Sequence, residues 1–285
     1  AIDKAKNWDN NKVNYGHIYN YYVVCNDGII DRNGVTDYII DNGVIYNPDK
    51  TELVYVKPDV QIEKLVIPET VKSIRKNAFK FNFGVAEIVM PDSIAELEDY
   101  TIAQAYALKK ITLSSNTTEI KKGVLFNCVE LEEITLPDKV TSVGYKAFSE
   151  CNALKRVILN DGLKNIDSAA LRKNNSLEYV RIPASVETIG GGVFDYSPLL
   201  KTAGPIGGEY NIEFGWTDKI PNYAFDGTVV NANVLESIII PETITEIGAR
   251  AFQNTTKLGE VNFPDAISKI GRSAFYCSGI SGRVE

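Results

Sequence analysis

At 285 residues, with 44% hydrophobic and 24% charged, the chain has the composition of a globular protein, not a disordered one. Its net charge of −7 argues against a nucleic-acid partner, whose phosphates need a basic footprint. No apolar run reaches the ~18–20 residues of a membrane span, and the polar opening AIDKAKNWDNN does not read as a signal peptide.

Residues 1–61 are rich in Tyr, Asn and Asp, with turn signals at Asn26-Asp27-Gly28, Arg32-Asn33-Gly34 and Asp41-Asn42-Gly43. The β-prone runs between them, Tyr19–Cys25, Tyr38–Asp41, Gly43–Tyr46 and Glu52–Lys57, predict hairpins. The last of these stand directly before a periodic region. There they are expected to cap apolar core and open strand edges. Asp31, Asn33 and Asp37 have a faint calcium-loop look but lack the downstream bidentate Glu, and a plain turn accounts for them.

From Ile62 the chain repeats itself every 23 residues. The repeat is clearest where Leu235, Ile238, Ile240, Pro241, Ile244, Ile247, Ala251 and Phe252 recur as Leu258, Val261, Phe263, Pro264, Ile267, Ile270, Ala274 and Phe275. The proline position falls upstream at Pro68, Pro91, Ser114, Pro137, Asn160 and Pro183. A fixed period in the twenties is the signature of a solenoid, here of about nine coils. Each coil opens with alternating apolar residues such as Leu131-x-x-Ile134-x-Leu136, which predicts a strand that the proline ends. A second short strand follows, as in Val140-x-x-Val143. A small–large pair such as Ala147-Phe148 then fits into one turn of helix, and the aromatics are expected to stack as a core column.

One coil, at 199–235, is irregular. Ile220 arrives eight residues late, and four further residues precede Leu235. The inserted stretch 207–219 carries Tyr210, Phe214 and Trp216 in a Gly-rich setting. Insertions in solenoids emerge as surface loops and are often where binding differs between coils. The alternative is a longer hairpin whose aromatics only cover the stack.

The pattern L-x-x-I-x-I-P-x-x-V-x-x-I-x-x-x-A-F resembles the BspA-type leucine-rich repeat family of bacterial surface proteins, from Ile62 to Ile280. The hairpin at Gly43–Tyr46 and Leu53–Tyr55 also resembles the segment that often introduces such arrays. The expected fold is therefore a β-rich, right-handed leucine-rich repeat solenoid of 23-residue coils. It would have a parallel sheet, short convex strands, one-turn helices and an N-terminal β-hairpin cap. Residues 1–61 would form the cap and 62–280 the solenoid, with 281–285 the cut end of a longer protein. The resemblance implies a bacterial, secreted or cell-surface location and a role in adhesion or protein binding.

The strand register points one row outward, with Val66, Val89, Thr112, Thr135, Ile158, Arg181, Gly204, Ile239 and Asn262. The row two residues earlier is Lys64, Glu87, Lys110, Glu133, Arg156, Tyr179, Thr202, Ser237 and Glu260. Alternating charges on adjacent strands hold register and keep an exposed sheet soluble. The same rows could also be offered to a ligand. The candidate partner contacts are Val66, Val89, Ile158, Tyr179 and Arg181 on the sheet, with Tyr210, Phe214 and Trp216 in the insertion.

Catalysis finds little support. His17 is the only histidine and lies outside the coils, no G-x-S-x-G or phosphate-binding loop occurs, and no Cys/His cluster points to a metal. No catalytic residue, metal or cofactor is expected. Cys128 and Cys151 occupy the same rung of neighbouring coils, either as a disulfide or as small buried thiols. The expected function is non-enzymatic binding of a protein or glycan at a cell surface. The alternatives are a spacer or stalk presenting another domain, and a carbohydrate-active enzyme resembling a β-helix.

Overall fold

The computed structural model describes residues 22–25, 28–31, 38–229 and 232–280. The candidates His17, Asn33 and Asp37 and the end at 281–285 lie outside them. An antiparallel pair, β1 (Tyr22–Cys25) and β2 (Gly28–Asp31), precedes a second antiparallel unit of β3 (Ile39–Asp41), β4 (Val44–Tyr46) and β5 (Glu52–Val56). Asn42 and Gly43 join β3 to β4 with φ of 47° and 80°, the left-handed pair that a two-residue type I′ hairpin requires.

The coils follow, each giving a strand to a first sheet and usually a two-residue strand to a second. They are β6 (Ile62–Val66) and β7 (Ser73–Ile74); β8 (Val85–Val89); β9 (Lys110–Thr112) and β10 (Glu119–Ile120); β11 (Glu133–Thr135) and β12 (Ser142–Val143). Next come β13 (Arg156–Ile158) and β14 (Asn165–Ile166); β15 (Tyr179–Ile182) and β16 (Thr188–Ile189). The last are β17 (Thr202–Pro205), β18 (Ile212–Phe214) and β19 (Lys219–Ile220); β20 (Ser237–Ile238) and β21 (Glu246–Ile247); β22 (Glu260–Val261) and β23 (Lys269–Ile270). Within the solenoid every strand pair is parallel, and in the regular coils register partners are 23 residues apart, as in Glu133↔Arg156 and Ile120↔Val143. The expected cap is present: β5 pairs β7 through Glu52↔Ser73, and so closes the second sheet at its first coil.

Alternation places Ile134, Val157, Val180 and Ile212 inward, where all are buried. The aromatic column forms as expected. Phe225 stacks on Phe252 at 5.3 Å between centroids, and Phe252 on Phe275 at 5.1 Å. Full burial, as at Phe225 and Phe252, is worth about 1.5–3 kcal/mol per ring, and Phe275 at the end of the column is half-buried. Cys128 and Cys151 are buried free thiols, each donating from Sγ to a carbonyl of the preceding coil, Ile102 at 3.4 Å and Leu125 at 3.2 Å. Asn82, Asn174 and Ser197 occupy the same rung and do likewise with side-chain donors, so the slot is a column of hydrogen-bond caps.

The one-turn helices are not there. Among the described residues there is no helix, and the segment around the small–large pair is a turn with two left-handed residues four apart. These pairs are Asn77/Phe81, Tyr100/Gln104, Gly123/Asn127, Lys146/Glu150, Ala169/Lys173, Gly192/Tyr196, Arg250/Asn254 and Ser273/Cys277. A residue near φ +60° cannot continue a right-handed helix, whose φ stays near −63°. The reversal turns its N–H sideways, as when Gly123 donates to Tyr145 O at 3.0 Å and Asn127 to Ser149 O at 2.9 Å in the next coil. The large residue between them adds a third bond, as from Phe148 to Ala170 O at 2.9 Å. The turn edge is thus a ladder in its own right, which a closed helical turn could not build.

The irregular coil is a dislocation in the stack. The order of the first sheet there is β15-β18-β17-β20, so the chain lays down β17 one rung ahead and then inserts β18 into the gap behind it. Residues 206–211 make this parallel return, with Ala203 opposite Ile212 and Pro205 opposite Phe214. The inserted stretch is therefore part strand, not only loop. Its alternation explains why: Ile212 and Phe214 lie in register with Val180 and Ile182, and point into the same core.

Candidate functional site

The outward face of the first sheet is laid out in the expected rows as far as β15. Val66 is in register with Val89, Val89 with Thr112, Thr135 with Ile158, and Ile158 with Arg181. Between β9 and β11 the Glu132 N–H donates to Lys109 O at 3.1 Å, which continues the ladder. Val66 is 60% exposed and Ile158 37%, Thr112 and Thr135 are exposed, and Val89, Tyr179 and Arg181 are half-buried. This face thus presents a mildly apolar row that none of the other described residues covers.

The charged row flanks it. Lys64 meets Glu87 at 3.0 Å. The Arg156 guanidinium lies 4.7 Å from the centroid of the Tyr179 ring, within cation–π range. Arg181 donates from its guanidinium to Asp161 Oδ1 at 2.9 Å. These side chains are engaged with one another on a sheet surface, and such exposed pairs are worth only about 0.2–1 kcal/mol each.

Beyond β15 the rows change. The partner of Arg181 is Glu213 on β18, and Gly204 comes one strand later. Sequence period alone put Gly204 next to Arg181 and missed Glu213, because nothing in a 23-residue repeat signals a strand laid down out of order. The acidic side chain is 6% exposed. Tyr179 donates its hydroxyl to Glu213 Oε2 at 3.0 Å, and the Glu209 N–H donates to Oε1 at 3.0 Å. Burial pushes this carboxyl up, but the N–H groups of Gly207, Glu209 and Tyr210 and the Tyr179 hydroxyl outweigh it and hold it below the usual range. The same burial, helped by Glu213, raises the Tyr179 phenol.

Of the three aromatics of the insertion, Phe214 and Trp216 are core residues, 1% and 4% exposed, and so are not available to a partner. Phe214 stacks on Trp216 at 5.1 Å, and both lie edge-on to Phe225. Phe214 faces inward because it shares the register of Ile182, and the Trp216 indole N–H is spent on Val186 O at 3.0 Å. Tyr210 is half-buried across the face of the sheet, lying so close over Gly204 and Gly208 that a Cβ on either would sit 2.1–2.2 Å from its ring. The turn 206–211 therefore covers the sheet at β17 and β18, and the candidate face that stays open is Val66, Val89, Ile158, Tyr179 and Arg181.

Among the described residues no group of three or more His, Cys, Asp and Glu could hold a metal ion, and no helix is long and apolar enough to cross a membrane.

Residues 58–152, 118–204 and 217–282 match the BspA type leucine rich repeat region, in six copies. Among solved structures, a leucine rich cell surface protein from Faecalibacterium prausnitzii is 22% identical, with 85% of this chain and 74% of that one covered at a TM-score of 0.49. The pneumococcal vaccine antigen PcpA is 19% identical, with 84% and 73% covered at 0.50. A leucine-rich repeat protein from Eubacterium ventriosum is 18% identical, with 92% and 95% covered at 0.45. At these identities the likeness is one of fold. No curated protein matches the chain.

Proposed function

The chain belongs to the BspA-type leucine-rich repeat family, and from that premise we propose that it is a non-enzymatic, surface-located binding protein whose ligand docks on the open face of the first sheet. The observation that carries this is the uncovered row from Val66 to Arg181, apolar at Val66, Val89 and Ile158 and edged by the Lys64–Glu87 and Arg156–Tyr179 pairs. Such a row offers desolvation at its centre and polar contacts at its rim, which is how interfaces are built. Tyr179 and Arg181 stand where the open face meets the covering turn, and give the site an aromatic and a cationic end. A protein or glycan ligand fits this surface, and the solenoid gives it length. Membership of this repeat family supports reading this chain, too, as a bacterial surface protein.

The test is a binding screen of the folded chain against immobilised host matrix proteins and bacterial surface glycans, repeated with Val66→Lys and Ile158→Lys together. A partner captured through this face should bind at least 10-fold more weakly to the double variant, whose far-UV spectrum should be unchanged. Equal affinity for a captured partner removes the face from the site. The continuous inter-coil ladder at the turn edge favours a second reading, a stiff spacer presenting another domain, and absence of any partner across the panel would support that instead.

A further inference from the structure

The dislocated coil leaves the two sheets with unequal numbers of rungs. In the first sheet two strands, β18 and β17, lie between β15 and β20. In the second sheet only β19 lies between β16 and β21, because β17 returns to β18 without crossing over. β19 pairs β21 directly, through Lys219↔Glu246. The missing rung, about 4.8 Å of stack, therefore falls between β16 and β19, which do not pair. At the turn edge the chain fills the same rung itself, since Gly192 N–H donates to Asp226 O at 2.9 Å and Tyr196 N–H to Ala232 O at 2.7 Å. In the second sheet it is a cleft of about 480 Å³, with Val186, Ile189 and Trp216 among its lining residues.

Sequence keeps the cleft open. In ordinary coils the residue after the second strand donates its N–H to the coil before it, as Gly144, Gly190, Gly248 and Gly271 do at 2.7–2.8 Å. The residue at that place after β19 is Pro221, which has no N–H to give. By the same coil pattern, the carbonyls of Glu187 and Ile189 face the cleft from one side and the N–H groups of Asp218 and Lys219 from the other. No backbone hydrogen bond joins the two sides among the described residues. Acceptors on one wall and donors on the other are the two edges of a sheet waiting for one strand.

Charge selects the strand. Position by position the outer row here runs Lys164, Glu187, the vacancy, then Asp218. Lys164 already bonds Glu187 at 3.0 Å, whereas Asp218 has no ion pair among the described residues. We propose that the vacant rung takes a short extended peptide of a partner protein, running parallel to β16, with a Lys or Arg between Glu187 and Asp218 and apolar residues facing the cleft floor. Its N–H groups donate to the Glu187 and Ile189 carbonyls, and the carbonyl of its basic residue accepts from Asp218 and Lys219. This site lies on the other sheet from the docking face proposed above and stands or falls independently of it.

The probe is the capped peptide Leu-Lys-Asn-Ile-Asp-Ser, which copies residues 163–168 and so carries the pattern of a natural second strand. Amide hydrogen exchange of the whole chain is followed with and without it. Exchange at Asp218 and Lys219 should slow by at least 10-fold at saturating peptide, with the first sheet unchanged. Peptides N-methylated at Asn, or with Glu in place of Lys, should bind at least 10-fold more weakly, and Asp218→Lys in the protein should weaken the parent peptide likewise. The proposal is overturned if millimolar peptide leaves those two amides unprotected, if protection appears on the first sheet instead, or if the N-methylated and Glu peptides bind as well as the parent.

Discussion

The Tyr179 hydroxyl donates to Glu213 Oε2 at 3.0 Å, and so ties the last regular strand of the first sheet to the strand inserted behind it. The same carboxylate gathers the turn 206–211 through the Glu209 N–H. Replacing Glu213 with Ala leaves a half-buried hydroxyl and the turn's N–H groups without their acceptor, at about 1–3 kcal/mol in total. Tyr179→Phe removes one donor and should cost about 1 kcal/mol. The pH dependence has a definite sign. A carboxyl held below its unfolded value contributes stability that is present above the ordinary value near 4.5 and lost as pH falls through the folded one. Urea denaturation of wild type and Glu213→Ala at pH 7 and pH 3 should show the difference shrinking on acidification; a constant difference would mean that Glu213 acts only by its shape.

Asp195 and Asp226 carry the opposite sign. Both are buried at the turn edge of the dislocation, and Oδ1 of each has no hydrogen-bond partner among the described residues. Burial first, then the charge of Asp195, pushes Asp226 up to about 7, and burial raises Asp195 as well. The folded state therefore binds more protons than the unfolded one between the ordinary carboxylate value of 3.8 and about 7. Stability falls as pH rises through that window, and the loss is complete above it. Asp226→Asn carries no charge at any pH. It should gain about 1–2 kcal/mol at pH 8, after discounting for solvent relaxation, and only a minor part of that at pH 4.5, where the loss has just begun. Thermal melts at the two pH values check this, and a gain of equal size at both would detach it from ionisation.

Much of the solenoid was legible because its information is redundant. Every coil restates which residues are inward, so Phe252 and Phe275 announce their stacking by spacing alone, and Val66, Val89 and Ile158 declare the open row in the same way. Three things were not legible, for three physical reasons. Glu213 and the placement of Phe214 depend on a strand order that departs from chain order, and a periodic signal carries no trace of that. The cleft beside β16 is the absence of a strand, visible only when rungs on two sheets are counted against each other. The helix expected at Ala147-Phe148 failed because one turn of helix and a left-handed double turn consume similar lengths of chain. A clue to the second was present. Among the described residues the left-handed positions are held by Asn, Lys, Tyr, Gln, Glu, Ala, Arg, Ser, Cys, Phe or Gly and never by Val, Ile or Thr, the side chains that tolerate φ near +60° worst.

That exclusion can be tested at Lys173, an exposed residue at φ 60° whose ammonium reaches Glu150 Oε1 at 3.1 Å. Lys173→Gly and Lys173→Val both delete this ion pair, so their difference isolates the backbone. Glycine relieves the left-handed strain, whereas valine adds a branched Cβ to it. The Lys173 N–H donates to Asp195 O at 2.8 Å in the next coil, so a chain that escaped the strain by relaxing would have to give up a rung of the turn ladder. The glycine variant should be the more stable of the two by about 1–2 kcal/mol. Glycine should lie close to wild type, because the lost ion pair is worth less than 1 kcal/mol and is offset by relief of strain. Chemical denaturation of the three proteins side by side gives the answer. Equal stability of the glycine and valine variants would show that the turn imposes no left-handed requirement at this position.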